Sequence, residues 1–186
     1  MSILAIEANA LIRRRDQIRT HLRQVARNPD LLNVTGQKLR NGGHIIAASS
    51  TTDATASPTD RLFKTQLCPL YGQYYEIWTP DRDSRHFHPE QIFFHLYSLP
   101  DRDKRDQIFC LHAEPQKSLV DHAGRVKASP HIHVKSKEDR LNRIAKSHFP
   151  FYYSTAETVL ETLEAFDTAW SAAIEIVRRE VIERFR

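Results

Sequence analysis

The sequence predicts an α+β domain: an antiparallel sheet of about four to six strands, with a long helix at each end of the chain. Three observations predict it. Apolar residues recur at helical spacing near both termini. Segments between them, such as YYEIWT (74–79) and SPHIHVKS (129–136), alternate in character and are rich in β-branched or aromatic residues. Two further apolar runs, within QIFFHLYSLPDRDKRDQIFCLHAE (91–114), flank a charged turn that starts with proline, as in a hairpin.

The chain has 186 residues, enough for a single domain with a real core. Hydrophobic residues make up 40%, which excludes disorder of the whole chain, and 5 glycines are few for an all-β protein full of tight turns. The formal net charge is +4, unevenly spread. Residues 1–48 carry 8 basic and 3 acidic groups, whereas residues 154–186 carry 4 basic and 7 acidic. A basic front suits either nucleic acid or the chain's own acidic C-terminal helix. Cys68 and Cys110 are the only cysteines and form no CxxC pair, which predicts neither a zinc-cysteine cluster nor a disulfide framework and suits a reducing cytoplasm. The opening MSILAIEANALIRRR is apolar but carries Glu7 and no preceding basic region. It predicts neither a signal peptide nor a membrane span.

Leu4, Leu11, Ile18 and Val25 repeat every seven residues, with Leu22 beside them, and predict a helix over 3–28. Arg13, Arg14, Arg15, Arg19, Arg23 and Arg27 fall on its other faces, a solvated surface or a nucleic-acid contact. NPD (28–30) ends it, because proline disfavours helix at the preceding residue. NGGHIIAASS (41–50) reads as a turn and a short strand, and the polar run over 49–60 as a mobile loop. The sheet is expected over 72–135, and SKEDRLNRIAKSH (136–148) as a short helix. Ser154 and Glu157 form an S-x-x-E capping box. The stripe Val159, Leu163, Phe166, Trp170, Ala173, Val177 and Val181 then predicts a helix over 154–185.

Side chains alternate along a strand, so parity groups them by face. Ile92, Phe94 and Leu96 share one face; Phe93, His95 and Tyr97 share the other. Phe109 and Leu111 separate likewise from Cys110, His112 and Glu114. A hairpin tip at Asp103–Lys104 would set His95 directly across from His112. Ile132 and Val134 would join the core, leaving His131, His133 and Lys135 outside. One register thus gathers His95, His112, Glu114, His131, His133 and Lys135 on one face. Histidines near neutral pKa suit metal-free RNA cleavage: one takes the 2′-hydroxyl proton, another protonates the leaving oxygen, and Lys135 steadies the phosphate charge. No cofactor is needed for that chemistry. Metal is the competing chemistry. The H-x-H pairs His86/His88 and His131/His133 are a plausible chelate for zinc or another divalent transition metal.

Two stretches resemble known families. HFHP (86–89), with Ser98 and Asp101, resembles the core of the JAMM/MPN zinc isopeptidases, but the eight-residue gap from the proline to Ser98 exceeds that family's spacing. The succession IFFHLYS, polar turn, QIFCLHAEP, SPHIHV and STAETVLETLEAF, about residues 90–166, resembles the TumE-type small toxins of prokaryotic toxin–antitoxin pairs. It departs from that pattern in having LHAEP where the family has an Arg-Tyr-Asp-rich run, and in the histidine spacing of PHIH. The resemblance implies a nucleic-acid-acting or growth-inhibiting protein with a neutralising partner.

Three functions compete at this point. One is a toxin-like ribonuclease using the histidine face. Another is a non-catalytic assembly module, pairing through the long helices with a second copy or a protein partner. The third is a metal-dependent hydrolase. No membrane partner is expected, and the cytoplasm is the expected location.

Overall fold

The computed structural model describes residues 4–50, 56–66, 70–101, 107–113, 131–134, 149–150 and 162–182. In chain order the elements are β1 (Ile6–Glu7), α1 (Ala10–Leu22), β2 (Asn33–Lys38), β3 (His44–Ser49), β4 (Phe63–Lys64), β5 (Tyr71–Pro80), β6 (His86–Tyr97), β7 (Gln107–Ala113), β8 (His131–Val134), β9 (Phe149–Pro150) and α2 (Leu163–Val177). A π-helical turn, Arg178–Ile182, continues α2. All strand pairs are antiparallel, in the order β2-β3-β5-β6-β7-β8-β9. The two-residue strands β1 and β4 pair with the ends of β6 and β5, at Phe87/His86 and Gly72/Tyr71. The architecture is α+β, as the patterning predicts.

One face of the sheet and one stripe of each helix make the core. Val34, Ile46, Ala48, Tyr74, Trp78, Ile92, Phe94, Leu96, Phe109 and Leu111 meet Leu11, Ile18 and Leu22 of α1 and Phe166, Trp170, Ala173 and Val177 of α2. Each buried Val, Leu, Ile or Phe side chain among them contributes roughly 1.5–3 kcal/mol. The described residues of both stripes, Leu11, Ile18 and Leu22 of α1 and Phe166, Trp170, Ala173 and Val177 of α2, pack inside the chain.

The N-terminal helix is shorter than predicted. The heptad residues Leu4, Leu11, Ile18 and Val25 are all buried, but only Ala10–Leu22 is helical. Ile6 and Glu7 pair instead with β6, and Ala26 bridges Thr65 while the Arg27 N–H donates to the Lys64 carbonyl at 2.8 Å. Periodicity reports which side chains are buried. It does not report that a sheet edge can take over the backbone hydrogen bonds at each helix end. The C-terminal helix also begins later than 154. Thr162 is extended and its Oγ1 accepts from the Ala165 N–H at 3.1 Å, an N-cap that starts α2 at Leu163. The Ser154–Glu157 box and the expected 136–148 helix lie outside the described residues. The expected loop over 49–60 is partly structured: Ser49 ends β3, and Pro58–Asp60 form a 3-10 turn. The sheet includes strands before 72: the short β1 on β6, then β2, whose sequence NVTGQK has no apolar alternation to reveal it, and β3.

Gly72 lies under the ring of Phe63, its partner on β4. A β-carbon there would come within 2.4 Å of Phe63 Cζ. Gly72→Ala is expected to destabilise the protein by about 1–3 kcal/mol, read as a lower denaturation midpoint at unchanged slope.

Across the core face runs a buried ionic clasp. Arg14 and Glu76 are both fully buried. Arg14 Nε donates to both Glu76 oxygens at 3.1 Å, and Nη2 donates to Oε1 at 2.8 Å. Tyr74 Oη at 2.5 Å and Trp78 Nε1 at 2.8 Å donate to the same carboxylate. The other Arg14 nitrogen, Nη1, binds Asp167 of α2. Ser171, one turn on, hydrogen-bonds His21 Nδ1 of α1 at 2.6 Å. Burial works against the Arg14 charge, but Glu76 and its neighbours outweigh it and hold the guanidinium protonated far above its ordinary range. Burial pushes the Asp167 carboxyl up, against the pull of Arg14, and lowers His21. The clasp ties α1, β5 and α2 together.

Candidate metal centre

The face of the sheet opposite the one that packs on α1 and α2 carries the second parity set. Gln73 pairs with His95, and Tyr75 with Phe93. His95 then pairs with Cys110, and Phe93 with His112. The expected pairing of His95 with His112 is therefore corrected by two residues, with an irregularity between Leu96 and Tyr97. A two-residue shift keeps parity, so His95 and His112 still share the face. Their rings are 5.3 Å apart between centroids. The β8 register sets His133 opposite Cys110 and His131 opposite His112.

A hydrogen-bonded chain fixes His95. Gln73 Nε2 donates to the Thr59 carbonyl at 2.6 Å. A carbonyl only accepts, so this bond decides which way the amide lies. Gln73 Oε1 accordingly accepts from Tyr97 Oη, at 3.1 Å. The Tyr97 oxygen in turn lies 2.7 Å from His95 Nδ1, within hydrogen-bonding distance. His112 is held by the ring of Phe93, edge-on at 4.2 Å between centroids. Cys110 is fully buried, directly opposite His95 and two residues before His112 on β7.

One potential ligand atom from each of His95, Cys110 and His112 lies within 4.8 Å of the other two. Around a tetrahedral zinc, with bonds of ~2.0–2.1 Å to nitrogen and ~2.3 Å to sulfur, the donors would stand about 3.3–3.6 Å apart. Small side-chain rotations cover the difference. Two imidazoles and a thiol are borderline-to-soft donors, the set that selects zinc and its neighbours over magnesium or calcium. The residues fit a transition metal.

Other predicted site residues are placed elsewhere. His86 sits at the start of β6 beside Asp81, at 3.3 Å, and His88 Nδ1 donates to the Leu4 carbonyl at 3.2 Å. His88 is seven strand positions from His95, roughly 23 Å at ~3.3 Å per residue. The alternative set His86, His88, His131 and His133 is thus not brought together. Glu114 and Lys135 lie outside the described residues. Arg14 is removed from the expected nucleic-acid surface, since it is buried on Glu76. Arg13, Arg19, Arg23 and Arg27 are exposed and Arg15 is partly so. They lie on the helix side of the sheet, opposite the histidine face. Cys110, Tyr97 and Gln73 were not among the expected site residues, although parity already placed Cys110 with His112 and Tyr97 with His95.

Comparisons with protein-family models, with curated proteins and with solved structures find no match to the chain. Among the described residues, no helix is long and apolar enough to cross a membrane.

Proposed function

We propose that the chain is a metal-dependent hydrolase whose ion is held by His95, Cys110 and His112. The observation that carries this reading is the convergence of the three donor groups within 4.8 Å. Cys110 separates it from metal-free cleavage by paired histidines, in which a thiol has no part. When bound, a zinc-class ion supplies Lewis acidity for hydrolysis. The chain's own residues do the rest. The Tyr97–Gln73 chain orients His95, Phe93 holds the His112 ring, and Cys110 gives up its proton on binding. Zinc- or manganese-loaded protein is expected to hydrolyse a simple phosphodiester such as bis-p-nitrophenyl phosphate, with at least a tenfold loss in His112→Ala. Equal rates in both, or none in either, contradict the reading.

A second reading keeps nucleic acid as the partner, in line with the resemblance to TumE-type toxins. The exposed arginines of α1 favour it. Phosphate contacts make binding salt-dependent, with a slope of about 0.7 per contact on a single strand. Arg13→Gln/Arg19→Gln/Arg23→Gln is expected to weaken RNA binding and flatten that slope by about 2. An unchanged slope in a filter-binding titration counts against it.

A further inference from the structure

We infer that Tyr97 and Gln73 are positioning residues that choose which nitrogen of His95 meets the metal. The inference rests on the metal reading above. A free neutral histidine favours its proton on Nε2. Here the order of donors and acceptors imposes the reverse. The Thr59 carbonyl fixes the Gln73 amide, Gln73 Oε1 takes the Tyr97 proton, and the Tyr97 oxygen takes the Nδ1 proton of His95. Gln73 and Tyr97 are both buried, so water does not readily substitute in the chain.

The consequence is a ring prepared before the ion arrives. Nε2 already holds its lone pair, and Nδ1–H is oriented by an acceptor that strengthens the donor nitrogen. Outer partners of this kind set ligand orientation and basicity, and their loss typically costs 10–100-fold in metal affinity. Tyr97→Phe removes the acceptor and leaves the ring packing intact. Gln73→Leu removes the group that commits the Tyr97 proton.

Two measurements on the intact chain test this. The first is long-range nitrogen NMR of the metal-free wild type, where His95 is expected to be protonated on Nδ1. The second is zinc titration of the wild type, Tyr97→Phe and Gln73→Leu, where each variant is expected to bind 10–100-fold more weakly. In Tyr97→Phe, the His95 proton is expected to move to Nε2. A wild type that binds zinc but shows Nε2–H overturns the inference, as does undiminished affinity in a folded Tyr97→Phe; either result leaves the metal reading standing. If a variant fails to fold, the wild-type spectrum still decides. A wild type that binds no zinc ends the metal reading and this inference with it.

Discussion

Arg14→Met is expected to cost about 3–5 kcal/mol of stability, because it leaves the Glu76 carboxylate buried without its cation. Total stabilities of domains are about 5–15 kcal/mol, so the variant should be marginal. The size follows from the site. Arg14 and Glu76 are both fully buried, and Glu76 accepts from three elements of the clasp: the guanidinium, Tyr74 and Trp78. Tyr74 and Trp78 soften the loss but bring no charge. Glu76→Gln should cost a similar amount, since Arg14 then keeps only Asp167 as a charged partner. The double variant should cost clearly less than the two single losses together, because removing either partner already breaks the shared interaction. Denaturant unfolding of the four proteins measures this. Additive losses would mean that the two side chains are not energetically linked.

The second large effect concerns the metal. Zinc at a thousand times its dissociation constant is expected to stabilise the chain by about 4 kcal/mol. At roughly 2–4 °C per kcal/mol for a domain of this size, the melting temperature should rise by about 8–16 °C. Cys110→Ala and His112→Ala should each lose most of that rise. A variant without the thiol that melts with the full zinc-induced shift would remove Cys110 from the site.

Much of this was legible in the residues. The alternation of Phe93, His95 and Tyr97 against Phe94 and Leu96 gave both faces of β6. The same parity placed Cys110 with His112. What the residues did not carry was the register. The pairing of Tyr97 with Gln107 depends on how the turn closes and on the irregularity beside Leu96, neither of which hydrophobic pattern encodes. The clasp was half visible. Arg14, grouped by the pattern with the solvated arginines, proves to share the buried face of Leu11, Ile18 and Leu22, whereas Glu76 already shares the parity of Tyr74 and Trp78. A lone arginine on an apolar stripe and a lone acid on an aromatic face are complementary, yet only the packing of α1 on β5 shows that they meet. The ends of α1 depart from the periodic pattern because helix and strand compete for the same backbone groups, and the partner strand lies far away in sequence.

The central claim is a metal held by three side chains on one sheet face. It is tested most directly by elemental analysis of protein purified without a polyhistidine tag, loaded with zinc and freed of excess ion. The account predicts close to one zinc per chain in the wild type, and a small fraction of that in Cys110→Ala and His112→Ala. Metal far below one per chain in the wild type, with no thermal shift on adding zinc or manganese, would contradict it.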